Sequence, residues 1–161
     1  MALKVDKSIL DGLNKILTNE LTAINQYFLH AKMCQNWGYE RLHKKIYRES
    51  IDEMRHADQL IERVLYLGGL PNLQRLGKLT IGETVQEQLE LDLAFEHRAI
   101  PDLREVIERC ELHKDYASRH LLTEILVAEE EHVDWLEAQL ELIQSLGIQN
   151  YLSQQIRPEA G

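Results

Sequence analysis

The sequence predicts an all-α protein. Four long antiparallel helices form a bundle, a long crossover joins the second to the third, and a short fifth helix follows at the C-terminal end. Three observations carry this reading. With three prolines and eight glycines in 161 residues, four stretches of about 30 residues hold no strong breaker except Pro101. Apolar residues recur along each stretch at three- and four-residue steps, and no run alternates as a strand would. The first and third connections are short, which makes antiparallel neighbours, whereas the middle one is long enough to carry the chain back across the bundle.

The first helix is expected over about residues 7–35, with Leu10, Leu13, Leu17, Ile24, Tyr27 and Ala31 on one stripe and Trp37-Gly38 as its stop. The second runs over about 39–67, ended by Gly68-Gly69 and Pro71. Residues 70–82 (LPNLQRLGKLTIG) carry no sustained helical period but are too apolar for a loose linker, so they are expected to lie strapped along the bundle. The third helix covers about 83–112, striped by Leu89, Leu93, Ile100, Leu103, Ile107 and Cys110; Pro101 removes the bond to the carbonyl of His97 and predicts a kink. The fourth covers about 115–146, with Leu122, Ile125, Leu136, Leu140 and Ile143 inward and Gly147 ending it, and IQNYLSQQI makes the short fifth helix at about 148–156. Each long helix spans about 45 Å at 1.5 Å per residue. One domain is expected over residues 1–161, with the bundle at about 7–146.

A hydrophobic content of 44% with 28% charged residues suits a soluble globular chain. The net charge of -9 argues against nucleic acid as a partner and suits cation traffic. The start, MALKVDKSILDGL, has neither the apolar core nor the cleavage site of a signal peptide, and no run approaches 18 apolar residues, so no membrane span is expected. Cys34 and Cys110 form no CxxC pair and read as buried reduced thiols of a cytoplasmic protein.

Each long helix is expected to break its apolar stripe once, with a glutamate. Glu20 follows Leu17 by three and precedes Ile24 by four. Glu53 and His56 interrupt the line from Ile46 and Glu49 to Leu60. Glu96 falls between Leu93 and Ile100, and Glu129 with His132 between Ile125 and Leu136. All lie near the helix middles, so an antiparallel bundle brings them to one level. Burying a charge costs several kcal/mol unless it is compensated. Two divalent cations offset four carboxylates, and the two Glu-x-x-His steps place a carboxylate and an imidazole on one helix face. This ligand set is that of the di-iron and di-manganese carboxylate bundles, the ferritin-like architecture. The carboxylate excess disfavours zinc and suits iron or manganese. Glu40-Arg-Leu-His43 repeats the motif, but His43 lies off the stripe at a helix start and is expected to be solvated. Glu130 and Glu131 point elsewhere, and His30, His97, His113 and His120 have no second ligand at metal spacing, so they are surface or satisfied core residues. Tyr27, two turns after Glu20, either serves the site through a hydrogen bond or an electron, or is a core tyrosine with a bonded hydroxyl.

Met54 lies a quarter turn from Glu53. With Tyr47, Ile51 and Ile61 it forms a second apolar stripe, matched on the first helix by Leu21 and Phe28, and a helix with two apolar faces has a second partner, here another copy of the chain. Adaptable packing accounts for an interface methionine on its own.

NELTAINQYFLHAKM, ESIDEMRHAD, LGGLPNLQRLGKL and EEEHVDWLEAQLELIQSLGIQNYL resemble the bacterioferritins, and the likeness extends over residues 5–157. It implies a 24-subunit shell of two-fold dimers around a mineral, with a di-iron ferroxidase centre (Glu20, Glu53, His56, Glu96, Glu129, His132) in each bundle. Fe(II) and O2 or H2O2 would be the substrates, Glu53 and Glu129 the bridging ligands, Glu20 and Glu96 the terminal ones. It also implies haem b at the dimer interface, with Met54 of two subunits as axial ligands, reduced by a ferredoxin-type donor during iron release. One departure is Arg48, where some family members carry a His that holds an extra iron with Asp52 on the cavity surface; a guanidinium cannot ligate. Pro101 is the other, a proline that could alter the reach of Glu96. Two rival readings remain: a di-iron oxidase or peroxide scavenger that stores nothing, and a haem-bearing subunit that only builds a mixed shell.

Overall fold

The computed structural model describes residues 2–157. Its helices are α1 (Lys7–Asn36), α2 (Glu40–Tyr66), α3 (Val85–Leu112), α4 (Tyr116–Leu146) and α5 (Ile148–Ser153), and no strand occurs among the described residues. The C-terminal helix is shorter than the sequence predicts and stops at Ser153.

Local chemistry sets the ends. The Asp6 carboxylate accepts from Ser8 N–H at the start of α1, Thr84 Oγ1 from Glu87 N–H at α3, and Asp115 from Ser118 N–H at α4, so each satisfies a helix-terminal donor. Gly38, Gly68 and Gly147 take φ of 88°, 85° and 82° at the stops of α1, α2 and α4, a region that favours glycine. Pro101 stands exposed inside α3, which nevertheless continues as helix to Leu112, and Glu96 remains 1% exposed in the interior. The proline therefore does not withdraw that side chain from the core.

α1 packs chiefly on α2 and α3 on α4, with a narrower seam between α1 and α3. At that seam a Cβ on Gly12 would lie 2.7 Å from Val106 Cγ1, so the glycine permits the close crossing. The apolar interior falls into two clusters. One is built on Leu13, Leu17, Leu60, Leu103, Val106 and Leu122, the other on Tyr27, Leu42, Ile46, Leu89, Leu136 and Tyr151. Along α1, α2 and α4 the change from one cluster to the other comes at Glu20, Glu53 and Glu129, so a polar layer divides the bundle.

The crossover does lie along the bundle, but not for the reason its composition suggests. Leu70, Leu73, Leu76 and Leu79 face outward, Leu70 with 83% of its surface exposed. Polar side chains of α1 hold the strap instead. Asn14 accepts from Asn72 N–H (2.8 Å) and donates to Leu70 O (3.2 Å), Thr22 Oγ1 accepts from Gly77 N–H (2.8 Å), Gln26 Oε1 from Thr80 N–H (3.2 Å), and His30 Nε2 from Gly82 N–H (3.0 Å). These four residues sit at helical multiples of four, a face of α1 that satisfies a non-helical backbone.

Candidate metal centre

Glu20 from α1, Glu53 and His56 from α2, Glu96 from α3 and Glu129 and His132 from α4 meet in the polar layer between the two apolar clusters. The four carboxylates and His132 are buried, and the His56 side chain is 13% exposed. Two groups of ligand atoms form. Glu20, Glu53, His56 and Glu129 make one and Glu96, Glu129 and His132 the other, with all ligand atoms of a group within 4.8 Å of one another. Glu129 is common to both, as its expected bridging role needs, whereas Glu53 belongs to the first group only.

His56 Nδ1 lies 3.4 Å from Glu20 Oε2, 3.7 Å from Glu53 Oε2 and 3.3 Å from Glu129 Oε1. His132 Nδ1 lies 3.4 Å from Glu96 Oε1 and 3.9 Å from Glu49 Oε2. The charges tune one another. Burial, then the Glu129 charge, pushes Glu96 up to about 8, against the pull of His132. Burial and Glu53 push Glu129 up to about 7. Burial alone would lower both imidazoles, but Glu129 and Glu53 raise His56 to about 10, and Glu96 with the neighbouring carboxylates raises His132 to about 9.

The donor atoms are poorly satisfied by protein. Glu96 Oε2, both oxygens of Glu129 and His132 Nδ1 are buried without a hydrogen-bond partner. Each such orphan costs about 1–3 kcal/mol in a folded protein. A metal pair would complete all of them at once. The mixed carboxylate and imidazole set suits iron or manganese better than zinc or calcium.

Tyr27 is fully buried and its hydroxyl donates to Glu96 Oε1; burial and the surrounding carboxylates drive its pKa well above the usual phenol range. Its ring meets His132 edge-on at 5.1 Å and Phe95 at 6.0 Å. The Trp135 ring stacks against His132 at 6.4 Å, with Lys45 Nζ 5.3 Å from the indole centre.

Several residues around the centre escape the sequence pattern. The rule of one break per helix is wrong for α2 and α3, because Glu49 and Asp92 are buried as well. Each stands four residues before a predicted ligand, so its place on the inward face was visible in the spacing. Glu49 Oε1 is clamped by Lys45 Nζ at 2.6 Å, and Asp52 accepts from Arg55 at 2.8 Å, so both acids near Arg48 are already engaged by cations. His43 is not solvated: it is half-buried, and its Nδ1 lies 2.8 Å from Ala31 O. His30 is fully buried and bonded, while His97, His113 and His120 are exposed. Cys34 and Cys110 are buried free thiols. Met54, the residue after Glu53 on α2, is 51% exposed while Glu53 is buried; the exposed Phe28 and Tyr47 rings lie 5.7 Å from each other. No described helix is long and apolar enough to cross a membrane.

The description Ferritin-like domain matches residues 10–146. The chain is 50% identical over 149 residues to the bacterioferritin of Mycobacterium tuberculosis (strain CDC 1551 / Oshkosh), covering 92% of this chain and 94% of the relative. It is 49% identical over the same length to that of Mycobacterium leprae, with the same coverage, and 44% identical over 155 residues to the bacterial ferritin of Synechocystis sp., covering 96% and 99%. A four-helix bundle with this crossover, a family match over most of its length and identities near one half together show that the chain belongs to the bacterioferritins.

Proposed function

We propose that the protein stores iron. It oxidises Fe(II) at the centre formed by Glu20, Glu53, His56, Glu96, Glu129 and His132 and deposits Fe(III) as mineral inside a cytoplasmic shell of 24 copies built from two-fold dimers. One observation carries this reading: buried carboxylate and imidazole atoms without protein partners converge in two groups that share Glu129. Iron is the substrate. Two Fe(II) ions give up one electron each; O2 takes both with two protons to become H2O2, or H2O2 takes both with two protons to become two waters.

The residues supply charge, position and dryness. Glu129 joins the two groups, Glu20 and Glu96 serve one group each, and Glu53 starts in the first group and reaches the second only by turning. His56 and His132 must be neutral to ligate, so loading displaces their protons together with those held by Glu96 and Glu129. Tyr27 occupies Glu96 Oε1 and leaves Oε2 for the metal, which orients that carboxylate.

The outward apolar face of α2 fits haem b. It offers an exposed thioether at Met54 on a helix face that also carries Tyr47 and Ile51, and one subunit supplies one such ligand, so a second copy across a two-fold axis would supply the other. Bound there, haem would supply one-electron transfer for reducing stored iron, with a ferredoxin-type protein as donor.

Aerobic addition of Fe(II) to the purified protein tests the reading. Rapid oxidation with many iron atoms retained per shell is expected. Oxidation without retention would favour an oxidase that stores nothing, and neither would remove the ferroxidase.

A further inference from the structure

One buried polar assembly plays no part in ligation. Asp92 on α3 is 1% exposed, and its Oδ1 receives two contacts from α1: Gln26 Nε2 donates at 2.9 Å, and His30 Nδ1 lies at 2.9 Å. His30 is fully buried, and its other ring nitrogen, Nε2, accepts from Gly82 N–H at 3.0 Å. That acceptor role settles the tautomer. A hydrogen on Nε2 would point at the Gly82 N–H, so the ring proton sits on Nδ1 and is donated to Asp92. Gly82 reaches this position because it has no side chain: a Cβ there would lie 2.5 Å from Gln88 N. Gln88 Nε2 in turn donates to Gly82 O at 3.2 Å, and Cys34 Sγ donates to Gln88 Oε1 at 3.3 Å.

The location gives this assembly a consequence. Asp92 stands one helical turn before Glu96 on α3, and Gln26 stands beside Tyr27 on α1. Among the described residues, the hydroxyl of Tyr27 donates to Glu96 Oε1 across the same α1–α3 seam and so orients that carboxylate, which His132 Nδ1 also approaches at 3.4 Å. That seam is narrower than the α1–α2 and α3–α4 pairings and is lined at this level by small residues, Ala23 and Ala99, together with Phe95. Directional bonds fix a register in a way that apolar contact does not: nearer the start of α1, Asn19 Nδ2 donates to Asp102 Oδ2 at 3.0 Å and Lys15 Nζ lies 3.1 Å from Asp102 Oδ1, and at the level of Tyr27 the two contacts to Asp92 Oδ1 serve this purpose.

We propose that Asp92, gripped by Gln26 and by the tautomer-locked His30, is a positioning residue that holds α1 and α3 in the register at which Tyr27 orients Glu96 for the Glu96–Glu129–His132 group. The inference rests on the metal-binding reading of the centre. It assigns the strap residue Gly82 a part in metal binding from outside the ligand shell, through His30. The Glu20–Glu53–His56–Glu129 group shares only Glu129 with the Glu96–Glu129–His132 group and contains neither Glu96 nor His132, so it should depend far less on this contact.

Co(II) alone serves as probe, bound to the assembled apo protein and followed by its visible absorption, with the two binding steps assigned in His56→Ala and His132→Ala. Asp92→Leu should weaken the step that uses Glu96 and His132 by about tenfold or more, the range for loss of an outer-shell partner, and leave the other within about twofold. Asp92→Asn, which keeps an acceptor oxygen, should restore most of the loss. Should Asp92→Leu fail to assemble, Gln26→Leu removes one of the two grips and should show the same one-sided weakening, smaller in size. Unchanged Co(II) binding in both steps, or equal weakening of both with a matching fall in thermal stability, would overturn the positioning role. Two Co(II) bound by the parent but none selectively lost would reject this inference and keep the centre; no Co(II) bound by the parent would reject both.

Discussion

Glu129 is the residue on which both halves of the centre turn, because each group of ligand atoms contains it. Glu129→Ala should slow Fe(II) oxidation by about 100-fold, the upper end of what outer-shell losses cost, since a shared ligand matters at least as much. The same change removes a buried charge pressed against Glu53 and Glu96, so the melting temperature of the apo protein should hold or rise. Stopped-flow oxidation and calorimetry of the variant check the two halves of this expectation, and parental oxidation rates in a folded variant would refute the site. Met54 separates from that chemistry, because it is turned out of the interior that holds Glu53 and is half exposed in the single subunit. Met54→Leu nearly conserves volume. It should assemble with little haem per subunit while oxidising Fe(II) at close to the parental rate, and full haem absorbance in the variant would return Met54 to simple packing.

At the scale of elements, the crossover depends on α1 for its backbone hydrogen bonds. Asn14 alone supplies an acceptor to Asn72 N–H and a donor to Leu70 O. Asn14→Ala removes both, at about 1 kcal/mol for each bond. Hydrogen exchange of residues 70–76 should accelerate by about tenfold for each 1.4 kcal/mol lost, while amides near Gly82, held by His30, keep their protection. Uniform acceleration along the strap would mean that it opens as a unit and that the α1 contacts are not independent. A second tie acts between elements: Arg63 of α2 donates to Ser118 Oγ and to the Asp115 carboxylate that caps α4, each within 2.9 Å. This pair anchors the far end of the bundle, well away from the metal layer.

For the whole molecule, the central charges impose a pH dependence. In the absence of metal, His56 at about 10 and His132 at about 9 stand above their ordinary value of 6.5, and Glu96 at about 8 and Glu129 at about 7 stand above 4.5. The folded state therefore holds more protons than the unfolded state across this range, and stability must fall as pH rises. The carboxyl contributions are complete below about pH 4.5 and lost through pH 7–8, and those of the imidazoles are complete below about 6.5 and lost through pH 9–10. The melting temperature of chelator-treated protein should decrease steadily from pH 6 to pH 9. Metal affinity should move the other way and tighten with pH, because binding releases those protons. A metal-free melting temperature that rises over the same interval would contradict the site electrostatics.

Periodicity alone gives the helices and the inward phase of the candidate ligands. Glu20, Glu53, Glu96 and Glu129 break apolar stripes at helical spacing, and four such breaks at one level have few explanations other than a shared ligand, because a helix fixes which side chains share a face. The same local rule places Met54 on the outer face. What the pattern does not contain is pairing across helices. Spacing along α2 pairs Glu49 with Lys45 four residues before it but cannot tell that Glu49 approaches His132 of α4, and the leucines of residues 70–79 suggest a strap held by apolar contact where Asn14, Thr22, Gln26 and His30 hold it by hydrogen bonds. His43 illustrates the same limit, since a carbonyl twelve residues away decides that it is bonded and half-buried. Sequence determines each helix's own faces because those follow from backbone geometry within a few residues. Which buried acid finds which partner is decided only when distant segments pack, because desolvation and hydrogen bonding depend on every neighbour at once.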